Sequence, residues 1–166
     1  MIRNHSNNEV RKGERDLTGM ENCQHGVRLE MPALERFLHR MNQVLGLKVE
    51  STFLRFVTDA EMLRLNRTFR KKAKTTDVLS FPTEERDLPS SLARRVKSLR
   101  GRFLGDIAIS PKAARRNARL LGRTLEEEIC VLMLHGTLHL LGYDHENDHG
   151  EMERVEVKLR RRLRLA

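Results

Sequence analysis

Residues 124–145 read TLEEEICVLMLHGTLHLLGYDH, and this stretch decides the fold. Thr124 followed by Glu127 is a capping-box pattern that opens a helix, and Gly142 is free to leave it in a left-handed conformation. From Ile129 onward the segment is apolar nearly all round, so the helix has no face to offer to water. It must be central and buried. Its far end carries His135 and His139, which at about 3.6 residues per turn stand above one another on the same face.

Further elements must wrap around that helix, and their signals are legible on its N-terminal side. Pro32 opens PALERFLHRMNQVLG, where Leu34, Phe37, Leu38, Met41 and Leu45 form an apolar stripe and Gly46 is a stop. LKVESTFLRFVT, DVLSFP at 77–82 and LGDIAIS at 104–110 read as strands, and VRLEM after residue 26 reads as another. Thr58 with Glu61 opens a helix to about Arg70, and Ser110-Pro111 opens one that ends at Gly122. A last helix runs from about Asp148 to Leu163. The expected architecture is one α+β domain: a small mixed sheet of about four strands packed with about five helices. Residues 1–26 are polar and aperiodic, which predicts a flexible N-terminal extension before a domain at 27–166.

The chain has 166 residues, 39% of them hydrophobic, enough for one core. A formal charge of +9 favours a polyanionic partner such as nucleic acid. With only two cysteines, Cys23 and Cys130, neither a disulfide scaffold nor a Cys-rich zinc module is available. The amino terminus lacks a secretory h-region and no run is long enough for a membrane span, so a cytoplasmic protein that does not enter a membrane is expected.

A lone histidine on an apolar helix is usually a satisfied core residue. Here His135, His139 and His145 fall within one motif, H-G-x-x-H-x-x-G-x-x-H, and Gly142 can bend the chain so that His145 returns toward the other two. Buried imidazoles without partners would cost about 1–3 kcal/mol each, whereas one metal ion satisfies all of them. Three protein ligands with an open fourth position are the pattern of catalytic zinc. His149 or Asp144 as a fourth ligand would make the site structural instead. The spacing is that of metzincin proteases, but Gly136 stands where those enzymes carry their general-base glutamate, which argues against a peptidase. Asp144 and the acids that follow it either orient imidazoles, as a second shell, or form a solvated loop.

Three stretches together resemble the YbeY family of bacterial endoribonucleases: LNRTFRKKAKTTDVLSFP at 65–82, LGDIAIS at 104–110 and HGTLHLLGYDH at 135–145. The resemblance implies one zinc ion held by His135, His139 and His145, single-strand-specific cleavage of RNA, and a role in ribosomal RNA processing, especially 16S 3′-end maturation, and in ribosome quality control. The family's functional arginine falls on Arg70. Alone, Arg70 would read as an ordinary solvated helix end. Its planar fork suits two phosphate oxygens. Arg67, Lys71 and Lys72 beside it are candidate RNA contacts, although Ala73 and Thr75 depart from the family's pattern and leave the loop carrying Lys71 and Lys72 less constrained.

Expected partners are single-stranded and ribosomal RNA and ribosome or small-subunit assembly proteins, with the chain itself a monomer. With one tyrosine, six phenylalanines and no tryptophan, base stacking is expected to be limited and binding to lean on phosphates. The rival reading is a non-catalytic, zinc-stabilised RNA-binding assembly factor, since the motif lacks an evident base.

Overall fold

A computed structural model of the chain describes residues 19–84 and 91–165. Its elements run β1 (Met20–Asn22), α1 (Met31–Leu45), a 3-10 turn (Val49–Ser51), β2 (Thr52–Phe56), α2 (Asp59–Arg70), β3 (Val78–Pro82), α3 (Leu92–Ser98), β4 (Gly105–Ile109), α4 (Pro111–Leu121), α5 (Leu125–Leu140) and α6 (Glu151–Leu163). The strands form one mixed sheet in the order β1-β2-β4-β3, with β1 parallel to β2, β2 parallel to β4, and β3 antiparallel to β4. This is the expected α+β domain, with six α-helices among the described residues rather than about five.

Helix α5 occupies the centre. Thr124 and Glu127 form the reciprocal capping box, and Ile129, Met133, Leu134 and Leu138 are fully buried. The helix packs against β3 and β4 on one side and against α1, α4 and α6 on others. Burying each of its large side chains stabilises the fold by about 1.5–3 kcal/mol as an upper bound. Close approach to the sheet depends on Gly136: a Cβ there would lie 2.9 Å from Ile107 Cγ2 and 3.2 Å from Ser80 Oγ. The Ser80 hydroxyl donates to the Gly136 carbonyl oxygen at 2.9 Å, fastening the helix to β3. Gly105 is as constrained, since at φ +147° a Cβ would sit 2.1 Å from the Phe81 carbonyl oxygen.

Two expectations change at the N-terminal side. VRLEM is not a strand; the described chain instead enters the sheet earlier, at Met20–Asn22, and Met20 is buried. Its pairing with β2 continues outward through Leu54 N–H to the Gly19 carbonyl, 2.9 Å, and Cys23 N–H to the Phe56 carbonyl, 2.8 Å. The extension drawn over residues 1–26 therefore includes a strand of the domain. Three residues are too short to show an alternating pattern, and the backbone ladder needs none. Residues 1–18 lie outside the described part. The charged interval at 83–102 holds α3, capped by Ser91.

Candidate functional site

The C-terminal turn of α5 and the loop beyond it build the site. Leu141 closes the helix, Gly142 takes φ +83°, and the N–H of Tyr143 returns to the Leu138 carbonyl at 3.1 Å. That turn brings His145 back over the helix end. The imidazoles of His135, His139 and His145 meet with ring centroids 4.8, 5.3 and 5.1 Å apart, and one ring nitrogen from each lies within 4.8 Å of the others. Among the described residues this histidine, cysteine and carboxylate group has three members; neither His149 nor Asp144 joins it.

Hydrogen bonds fix which nitrogen His135 and His139 present. His139 Nδ1–H donates to the Tyr143 carbonyl oxygen at 2.9 Å, and His135 Nδ1 lies 2.9 Å from Glu156 Oε2. The two Nε2 atoms consequently face each other at 3.2 Å. A ring donating through Nδ1 carries a lone pair on Nε2, and two lone pairs at that distance repel unless a cation stands between or beside them. Burial, reinforced by His135 and His145, pushes the pKa of His139 down to about 4, so this ring is neutral and able to ligate. The donor set fits a borderline metal ion such as zinc with an open coordination position.

Glu156 contacts the histidine cluster, and the sequence reading does not single it out. Burial opposes its ionisation, but His135 and Arg160 outweigh burial and hold the carboxyl below its ordinary value. A carboxylate hydrogen-bonded to a ligand imidazole orients the ring and raises its basicity. The available signal was its place in α6: Met152, Glu156, Leu159 and Leu163 fall on one buried stripe, which an acid interrupts. Asp144, expected either to orient an imidazole or to belong to a solvated loop, accepts within the loop from the Glu146 N–H at 3.1 Å and from Asn147 Nδ2, and interacts electrostatically with His139 and His145. It does line the cleft.

Behind the turn sits Arg95 of α3. Its buried guanidinium donates to the Leu141 carbonyl at 3.1 Å and lies 4.1 Å over the Tyr143 ring. The residue whose carbonyl accepts the His139 hydrogen bond thus also has its ring covered by the Arg95 guanidinium. Cys130 takes no part; burial pushes its thiol up to about 12.

The histidines open into a cleft of about 970 Å³, whose lining also includes Arg70, Lys72 and Lys74. Arg70 is the last residue of α2, exposed and without a hydrogen-bond or ionic partner among the described residues. Lys71 takes the left-handed position that ends α2, at φ 53°, and neither it nor Arg67 lines the cleft. The loop that carries these lysines is tied down by the buried Asn66, whose Nδ2 donates to the Lys74 carbonyl at 2.6 Å and whose own carbonyl receives the Lys72 N–H at 3.3 Å. Ala73 and Thr75 therefore do not leave it unanchored. Position 136 faces Ile107 and Ser80 on the sheet. In this fold a glutamate there would collide with β3 and β4.

A family model described as Endoribonuclease YbeY matches residues 21–164. The chain belongs to the YbeY endoribonuclease family. It is 46% identical over 138 residues to Endoribonuclease YbeY of Solibacter usitatus, a span covering 82% of each chain. Endoribonuclease YbeY of Aquifex aeolicus is 42% identical over 122 residues, 73% of each chain. The match to Endoribonuclease YbeY of Campylobacter jejuni subsp. jejuni serotype O:23/36 is 44% over 123 residues, 74% of this chain and 81% of that one. A solution structure from Thermotoga maritima shares the fold, with TM-score 0.52 at 24% identity over 87% of this chain and 91% of its own. The YbeY match begins inside β1, in keeping with that strand's place in the domain.

Proposed function

We propose that the chain is a zinc-dependent endoribonuclease that hydrolyses phosphodiester bonds in single-stranded RNA. It works in the cytoplasm as a monomer on ribosomal RNA, maturing the 16S 3′ end and serving ribosome quality control alongside small-subunit assembly proteins. One observation carries the reading: three imidazoles with converging ring nitrogens share a cleft with an unpaired arginine. His135, His139 and His145 would hold the zinc ion, which when bound would supply Lewis-acid polarisation and a lowered pKa for a water.

The chain's own residues do the rest. His139 stays neutral because it is buried, and Glu156 holds His135 in the ligating orientation. Arg70 places its fork on non-bridging phosphate oxygens, where charge develops as the bond breaks. Lys72, which lines the same cleft, guides the flanking backbone. Arg67 and Lys71 would act further along the strand, outside the cleft itself.

The test is cleavage of a 16S fragment with a single-stranded 3′ extension by the zinc-loaded protein and its Arg70→Ala and His139→Ala variants. Arg70→Ala should lower kcat/KM by about 10²–10³-fold with Tm unchanged, and His139→Ala should abolish cutting. Product ends carrying a 5′-phosphate point to attack by water, and a 2′,3′-cyclic phosphate to attack by the 2′-hydroxyl. Equal cutting by all three proteins would overturn the assignment in favour of a zinc-stabilised assembly factor.

A further inference from the structure

Phe69 is 61% exposed, yet it does not lie on a bare outer face. Its ring lines the histidine cleft, beside Arg70, whereas the other large apolar side chains exposed among the described residues, Phe103, Leu120, Leu121 and Val157, do not. On one side Phe69 meets Phe81 of β3 edge-on, with ring centroids 5.1 Å apart and planes at 68°. This contact holds the ring in place and leaves it accessible from the cleft. The Asn66 bonds to Lys72 and Lys74 secure the end of α2 on which the ring stands.

We propose that Phe69 is a base-stacking platform: one nucleobase of a single-stranded RNA lies on its open face while Arg70 and Lys72 hold the adjoining phosphates. The proposal rests on the endoribonuclease reading and extends it to how a strand is chosen. Every base has a π-face, so stacking on one ring discriminates little between sequences. In a duplex both faces of each base are covered by its neighbours, and only an unpaired, unstacked nucleotide can present one. Single-strand preference then follows from one exposed ring beside a phosphate-binding arginine, and the scarcity of aromatics in the chain is no obstacle. Arg70, Lys72 and Lys74 line the same cleft as the ring, together with the acidic Asp77, Glu84, Asp144 and Glu146, and the chain as a whole is net positive by nine.

The experiment titrates a nuclease-resistant 2′-O-methyl RNA hexamer bearing one 2-aminopurine with the zinc-loaded full chain, moving the probe along the strand. Wild-type protein should quench the probe strongly at one position. Phe69→Leu keeps an apolar side chain and a good helix former but has no ring, and should lose the quenching and weaken binding about tenfold. Phe69→Tyr should behave as wild type. Undiminished quenching and affinity in Phe69→Leu, with both variants melting as wild type does, would overturn the platform and leave the exposed ring to a protein contact. A wild-type protein that quenches the probe yet leaves ordinary RNA uncut would support the platform while removing the nuclease reading.

Discussion

His139 joins the fold to the chemistry most directly, because the same burial that packs α5 keeps its ring unprotonated. With a pKa of about 4 in the folded chain against an ordinary 6.5, the unfolded chain binds more protons in that window. Metal-free protein should therefore lose stability as pH falls from about 6.5 towards 4, and Glu156, held below its ordinary value, adds a loss at the acid end. Thermal melts across that range check the sign; a Tm that rises on acidification would contradict it. Glu156→Gln keeps the volume of the side chain but removes its charge from beside His135, and should weaken zinc binding about tenfold or more. Competition against a chromophoric chelator measures this directly. The clustering of the histidines was legible because His135 and His139 stand one helical turn apart and Gly142 lets the chain bring His145 back to them. Glu156 was not, since a tertiary contact between α5 and α6 leaves only the trace of an acid on an apolar stripe.

Helices with local stop and start signals were read closely. Gly46, Gly122 and Gly142 end α1, α4 and α5 in left-handed conformations, and Ser110 and Thr124 cap α4 and α5 through their side chains. VRLEM failed because five residues with apolar ends suit an extended linker as well as a strand, and partner strands decide between them. The role of Gly136 lay beyond reach for the same reason: sequence shows a missing glutamate, and only the sheet shows what occupies its place. Helix α3 has a consequence for the site that its weak periodicity did not announce. Arg95→Ala removes a buried charge-assisted hydrogen bond and a cation–π contact, and should cost about 2–4 kcal/mol of stability. Because the Tyr143 carbonyl also accepts the His139 hydrogen bond, the same variant should bind zinc more weakly. A melt and a chelator competition made together would show both effects; unchanged zinc affinity would detach Arg95 from the metal centre.

At the scale of the molecule, no helix among the described residues is long and apolar enough to cross a membrane, and the cleft is lined by Arg70, Lys72 and Lys74 together with Asp77, Glu84, Asp144 and Glu146. If Arg70, Lys72 and Lys74 each neutralise a phosphate, the log of RNA affinity should fall with log salt with a slope of about −2. Fluorescence anisotropy over a salt series reads the slope, and a flat line would remove the phosphates from the account. Charge and composition point to a polyanionic partner and the family resemblance to Arg70; that the end of α2 and the end of α5 line one cleft is visible only in the fold. The short strand β1 has a different consequence. It covers the outer edge of β2, whose amides and carbonyls would otherwise face outward as an open row. A chain trimmed at residue 27, where composition places the boundary, would offer that row to any extended peptide nearby. Self-association would then begin on the side of the sheet away from β3.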